Sequence, residues 1–129
     1  MNLRHQALGI LLEADPAAKV GAARALWAAA QTAPCDEGLT PADCAENIVL
    51  TADQLARLPG RPERPQLVAS TKVPHRSPFT LEGRAALLHA ICHIEFNAIN
   101  LALDAVWRFA DLPDSYYRDW MRVAFEESQ

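Results

Sequence analysis

The chain has 129 residues, half of them hydrophobic and 22% charged, which suits one globular domain with its own core. Twelve Lys and Arg against 16 Asp and Glu leave a net charge of −4. No basic run or interleaved aromatic stripe argues for nucleic acid or an anionic membrane. Three cysteines without a CxxC pair exclude a disulfide framework and a structural zinc site. The longest apolar run near the N-terminus, Ala7 to Leu12, is too short to span a bilayer and has no cleavage pattern. The expectation is a cytoplasmic, reduced protein.

In chain order, residues 2–14 predict a short amphipathic helix with Leu3, Leu8, Leu11 and Leu12 as its apolar set. Asp15-Pro16 supplies the cap and the first helical residue of a second, alanine-rich helix, PAAKVGAARALWAAAQ. Its only large apolar groups are Leu26 and Trp27, so its buried face must pack closely on a neighbour. Thr40-Pro41 opens a short helix around ADCAEN, Thr51 opens the turn ADQLARL, and Pro59-Gly60 stops it. Residues 1–58 thus form an N-terminal set of short helices. Between 59 and 80, Pro59, Pro62, Pro65, Pro74 and Pro78 exclude a helix and predict an extended arm. Leu67, Val68 and Val73 place that arm along other elements. Arg61, Arg64, Lys72 and Arg76 make it locally basic.

Residues 81–129 carry the strongest signal. Leu81 to Phe109 contains no proline, and Leu88, Ile91, Cys92, Ala98, Ile99, Ala102 and Val106 fall on one stripe of a 3.6-residue helix. Glu95 stands on that stripe, so a regular helix carries its carboxylate into the bundle. An unpaired ionised carboxylate in an apolar interior is too unfavourable to persist. A buried Arg such as Arg84 or Arg108, a proton, or a metal ion must compensate it. Cys92 reads as a small buried hydrophobe. His89 and His93 have the i, i+4 spacing at which two imidazoles share a metal. Their stripe runs on through Asn97, Asn100, Asp104 and Arg108, however, and so reads as a polar face, solvated or bonded to the arm.

After the breaker at 110–113 a second long helix starts at Asp114. Its buried face reads Tyr116, Trp120, Val123 and Ala124, and the next position on it is Glu127. Glu126 points elsewhere and pairs with Arg122. The aromatic residues Tyr116, Tyr117 and Trp120 are packing groups first. Two antiparallel helices, 81–110 and 114–129, therefore each present one glutamate to a shared interior. Di-iron sites in four-helix bundles take a Glu from one helix and Glu-x-x-His from the next, with the set repeated by the other pair. Glu127-Ser128-Gln129 needs only a His at the following position to complete that motif.

GRPERPQLV, followed by EGRAALLHAICHIEFNAINLALDAVWRFADLPDSYYRDWMRVAFEES, resembles an uncharacterised family of bacterial ferritin-like proteins. Its members carry a GRP-x-x-P-x-LV arm, a GR-x-ALLHA-x-x-HIE helix and an RFA-x-x-P segment that continues to DW-x-RVA-x-EE. The resemblance covers nearly the whole chain and is densest from Pro59 onward. It implies a bundle related in plan to rubrerythrin and di-iron tRNA hydroxylases. It also implies a complete protein about twice this length, continuing with His-Phe and a second Glu/Glu-x-x-His helix pair. On that reading the chain is all-α and forms an N-terminal ferritin-like half bundle. In the complete protein Glu95 is a terminal ligand and Glu127 bridges two iron or manganese ions. The resemblance further implies an oxygen- or peroxide-activating oxidoreductase, an oxidase or hydroxylase. The fragment alone, with no histidine on the shared face, is expected to bind metal poorly and to be inactive. Two helices alone leave Leu88, Ile99, Val106, Trp120 and Val123 uncovered, so a second copy or the missing C-terminal half is expected as partner. The rival is a non-catalytic helical interaction module in which Glu95 is a buried structural residue.

Overall fold

The computed structural model describes residues 2–32, 39–63 and 76–129. Within them the helices are α1 (Leu3–Leu12), α2 (Pro16–Thr32), α3 (Pro41–Ala45), α4 (Ala52–Ala56), α5 (Leu81–Arg108) and α6 (Asp114–Glu127), and no strand occurs among these residues. The chain is all-α, as its periodicity requires. Cys35 and residues 64–75 of the arm, with Arg64, Leu67, Val68, Lys72, Val73 and His75, lie outside the described residues.

The helix starts follow from their caps. Asn2 accepts from the N–H groups of Arg4 and His5, and Asp15 Oδ2 accepts from Ala18 N–H at 2.8 Å. Thr40 with Asp43, and Thr51 with Gln54, close capping boxes on α3 and α4. Thr80 caps α5 through Gly83 N–H at 2.9 Å. Only α6 starts without a side-chain cap, after Pro113.

The core sits around the second half of α5. There α6 returns antiparallel to it, α1 packs across it, and α2 closes over α1 and α6. Ile99, Ala102, Leu103 and Val106 of α5 meet Leu8 and Leu11 of α1 and Met121 of α6 in one cluster. Ile99 and Val106, expected to be uncovered, are buried because the N-terminal helices pack against them. Trp120 and Val123 are half-buried. The face of α6 is centred one residue along from the expectation, on Tyr117, Met121 and Ala124.

The first half of α5 departs from the expected stripe. Leu88 is 64% exposed, Ile91 is exposed, and Cys92 is exposed rather than a buried hydrophobe. The cause is length: α5 has 28 residues, ~42 Å, against 14 residues, ~21 Å, in α6. Paired from their shared turn, α6 reaches no further back than Glu95. By length and composition α5 is apolar enough to cross a membrane, and 22% of that window is buried.

Two fully buried cations join the elements. Arg4, 0% exposed, donates through Nη1 to the carbonyls of Asp43 (2.9 Å), Cys44 (3.2 Å) and Glu46 (2.6 Å). Its Nη2 donates to Trp107 O at 2.8 Å, and the guanidinium lies over the Tyr117 ring, 5.4 Å from its centroid. Lys19, also 0% exposed, donates from Nζ to Leu11 O (3.2 Å), Gly60 O (2.7 Å) and Asn100 Oδ1 (2.6 Å). Burial pulls its pKa down to about 8, partly opposed by the Glu13 carboxylate. At pH 7 it therefore remains mainly an ammonium, with one acceptor for each proton. Gly60 approaches α1 so closely that a Cβ there would collide with the carbonyls of Leu12 and Glu13.

Replacing Arg4 by Met should lower stability by about 3 kcal/mol or more, because four carbonyls lose a charged donor in a dry site. Gly60→Ala should lower it by about 1–3 kcal/mol through backbone displacement. Urea unfolding of the two variants against the parent measures both.

Candidate carboxylate site

Glu95 lies where the covered half of α5 meets its uncovered half, and Glu127 is the last residue of α6. The turn between the helices sets their register. Asp111 takes a left-handed conformation (φ 61°), which Asp tolerates better than most residues, and its N–H donates to Cys44 O at 2.8 Å. The Tyr117 hydroxyl donates to Phe109 O at 2.7 Å and accepts from Leu112 N–H at 3.2 Å. At the far end, Arg24 of α2 bonds the Ser128 carbonyl and, at 3.3 Å, its hydroxyl. Trp27 stacks on Phe125 with centroids 6.0 Å apart. Helix ends usually fray; here α2 clamps the turn that carries Glu127.

The two glutamates converge. The carboxyl groups lie within hydrogen-bonding reach of each other, and that contact raises the Glu127 pKa first, with the Glu95 charge adding to it. Sequence reasoning placed both in the interior, but Glu95 is exposed and Glu127 half-exposed. The pair sits at the mouth of the α5–α6 seam, since α6 ends there and nothing among the described residues roofs it. Arg108, a candidate partner for Glu95, instead grips Asp104 through two nitrogens at 2.7 and 2.8 Å. Glu126 pairs with Arg122 at 2.9 Å, as its i−4 spacing predicts. Among the described residues no group of three or more His, Cys, Asp or Glu could hold a metal ion. The arrangement can share a proton between two carboxylates, or offer two oxygen ligands to a cation completed from elsewhere.

His89 and His93 lie apart from this pair. They line a pocket of about 180 Å³ with Pro16, Arg61, Pro62, Cys92 and Phe96, so this face is partly roofed by residues 61–62 rather than simply solvated. A neighbouring pocket of about 320 Å³ is lined by Asn97, Asn100, Asp104 and Arg108 among others. Asn97 Oδ1 and Asn100 Nδ2 are buried there without a hydrogen-bond partner among the described residues. The unforeseen residues are Arg4, Lys19 and Arg24. For Lys19 the signal was present: it stands at helical spacing with Ala23, Leu26 and Ala30, the pattern that marks Glu95. Arg4 likewise stands one turn from Leu8 and Leu11.

Residues 12–129 match the family model described as protein of unknown function (DUF455). An uncharacterized protein of Haemophilus influenzae is 58% identical over 74 residues, covering 52% of this chain and 26% of that relative. The chain thus spans about a quarter of the length of the relative it matches. No solved structure matches this chain.

Glu95→Gln should bring the Glu127 pKa back toward the ordinary carboxylate range, read by carboxyl-carbon NMR titration. The sign follows from the raised folded value: Glu127 favours the fold below its unfolded pKa, and this contribution is lost as pH rises through its folded pKa. In the Gln variant that loss should shrink.

Proposed function

As the chain belongs to the DUF455 family, we propose that Glu95 and Glu127 are half of the ligand set of a carboxylate-bridged di-metal centre in a ferritin-like bundle. The observation that supports this reading is their convergence: residues 32 apart, on two helices, hold carboxyl groups within hydrogen-bonding reach. Ordinary packing separates like charges unless a proton or a cation joins them. By themselves these residues do not fit two metal ions, because two carboxylates fall short of the four to six donors that iron or manganese takes. The remaining carboxylates and the imidazole ligands come, in this reading, from a second helix pair outside these residues. Glu95 is then a terminal ligand and Glu127 the bridging one. The complete protein is a cytoplasmic oxidoreductase that activates oxygen or peroxide, and this chain alone is inactive.

A second reading has its own support. Leu87, Leu88, Ile91 and Ile94 are all exposed on the first half of α5, Ile94 at 63%. A patch of this kind marks an interaction surface. On this reading the chain is a helical interaction module, and the glutamate pair is a polar feature at the edge of its contact.

Metal analysis separates the two. This chain should carry little iron or manganese, a longer polypeptide that includes the second helix pair should carry two ions, and Glu95→Ala in the longer protein should lose most of them. A longer protein without metal, or one indifferent to Glu95→Ala, sinks the di-metal reading in favour of the interaction module. Both readings expect the isolated chain to self-associate through α5. Sedimentation of a Leu88→Glu/Ile91→Lys variant should show a shift toward monomer.

A further inference from the structure

We propose that His89 and His93 form a second, independent metal site: a two-imidazole chelate for a late divalent transition ion such as Zn2+ or Ni2+. The pair is spaced i, i+4 on α5, so the rings project from successive turns of one face. They already stand nearly parallel, with centroids 6.5 Å apart and planes inclined by 13°. Side-chain rotations alone bring one nitrogen of each to a common ion at ~2.0–2.1 Å. No backbone rearrangement is needed, because the helix holds the two Cβ atoms at the spacing such a chelate uses.

The surroundings suit a metal. Both rings line a pocket walled by Pro16, Pro62, Cys92 and Phe96. His93 is half-buried there and His89 is exposed, so an ion can reach both rings. The pocket, about 180 Å³ in volume, leaves room for the remaining coordination positions to be filled by water or a small anion. Arg61 stands on the same wall, and its charge opposes a cation. Neutral imidazole selects zinc, nickel or copper over magnesium, calcium or manganese. The site is separate from the glutamate pair: Glu95 follows His93 by two residues, ~200° around the helix, and so faces nearly the opposite way. It does not depend on the di-metal reading.

The test is calorimetric titration of tag-free chain with Zn2+, with circular dichroism to confirm that each variant keeps its helix content. One ion per chain is expected. His89→Ala and His93→Ala should each weaken binding at least tenfold, while Cys92→Ser and Glu95→Gln leave it within twofold. Arg61→Ala should tighten it severalfold at low salt and less at high salt. Failure of the parent to bind Zn2+ overturns the proposal, as does unchanged affinity in either histidine variant. Loss of binding in Cys92→Ser or Glu95→Gln also overturns it, by placing the ion on a thiol or a carboxylate instead.

Discussion

The guanidinium of Arg4 is the contact on which the arrangement depends. It rises from the first turn of α1, gathers the Asp43, Cys44 and Glu46 carbonyls at the C-terminal end of α3, and reaches the last turn of α5 through Trp107 O. The face of Tyr117 on α6 closes its other side. A single planar cation with several forked donors can satisfy four inward-pointing carbonyls from two stretches of backbone at once, which a hydrophobe cannot. The carbonyls it serves belong to backbone that is not in the middle of a helix, where no intrahelical donor exists. Tyr117, held under this cation, in turn fixes the α5–α6 turn through Phe109 O and Leu112 N–H. The register of α6 against α5, and with it the meeting of Glu127 and Glu95, follows from that corner.

Lys19 does the corresponding work from the other side. It joins the end of α1, the start of the arm and the middle of α5 through one ammonium, with the ring of Phe96 4.9 Å away. Gly60 is required there because its backbone runs against the carbonyls of residues 12 and 13. These contacts carry the first residues of the arm over α5, and so build the wall that makes a pocket around His89 and His93. A buried cation in a helix rich in alanine thus has a consequence on the surface, two elements away.

The candidate site lies at a boundary set by helix length. α5 is twice as long as α6, so half of it has an antiparallel neighbour and half does not. Glu95 and Glu127 meet where cover ends. A carboxylate pair there stays open to its surroundings, and exposed apolar residues lie beyond it. The same geometry supports both a half-built metal centre and an interaction face, which is why metal content decides between them and shape does not.

Much of this was legible locally. Asp15-Pro16, Thr40-Pro41 and Thr51 mark the starts of α2, α3 and α4 because capping is a contact between residues three apart in sequence. The two long helices, the break before Asp114 and the Arg122–Glu126 pair are equally short-range. Helical periodicity also singled out Glu95 and Glu127 as carboxylates on apolar stripes. Periodicity names a face but not what lies against it. Whether Leu88 and Ile91 are covered depends on how far α6 reaches, and whether Ile99 and Val106 are covered depends on where α1 and α2 fold back. Most partners of Arg4 and Lys19 are backbone carbonyls about 40 to 100 residues away, and a carbonyl leaves no mark in an amino-acid sequence. Sequence therefore determined the helices and the two glutamates that stand out on them. Tertiary structure decided that those glutamates meet at an exposed edge, because only packing sets where a seam between helices ends.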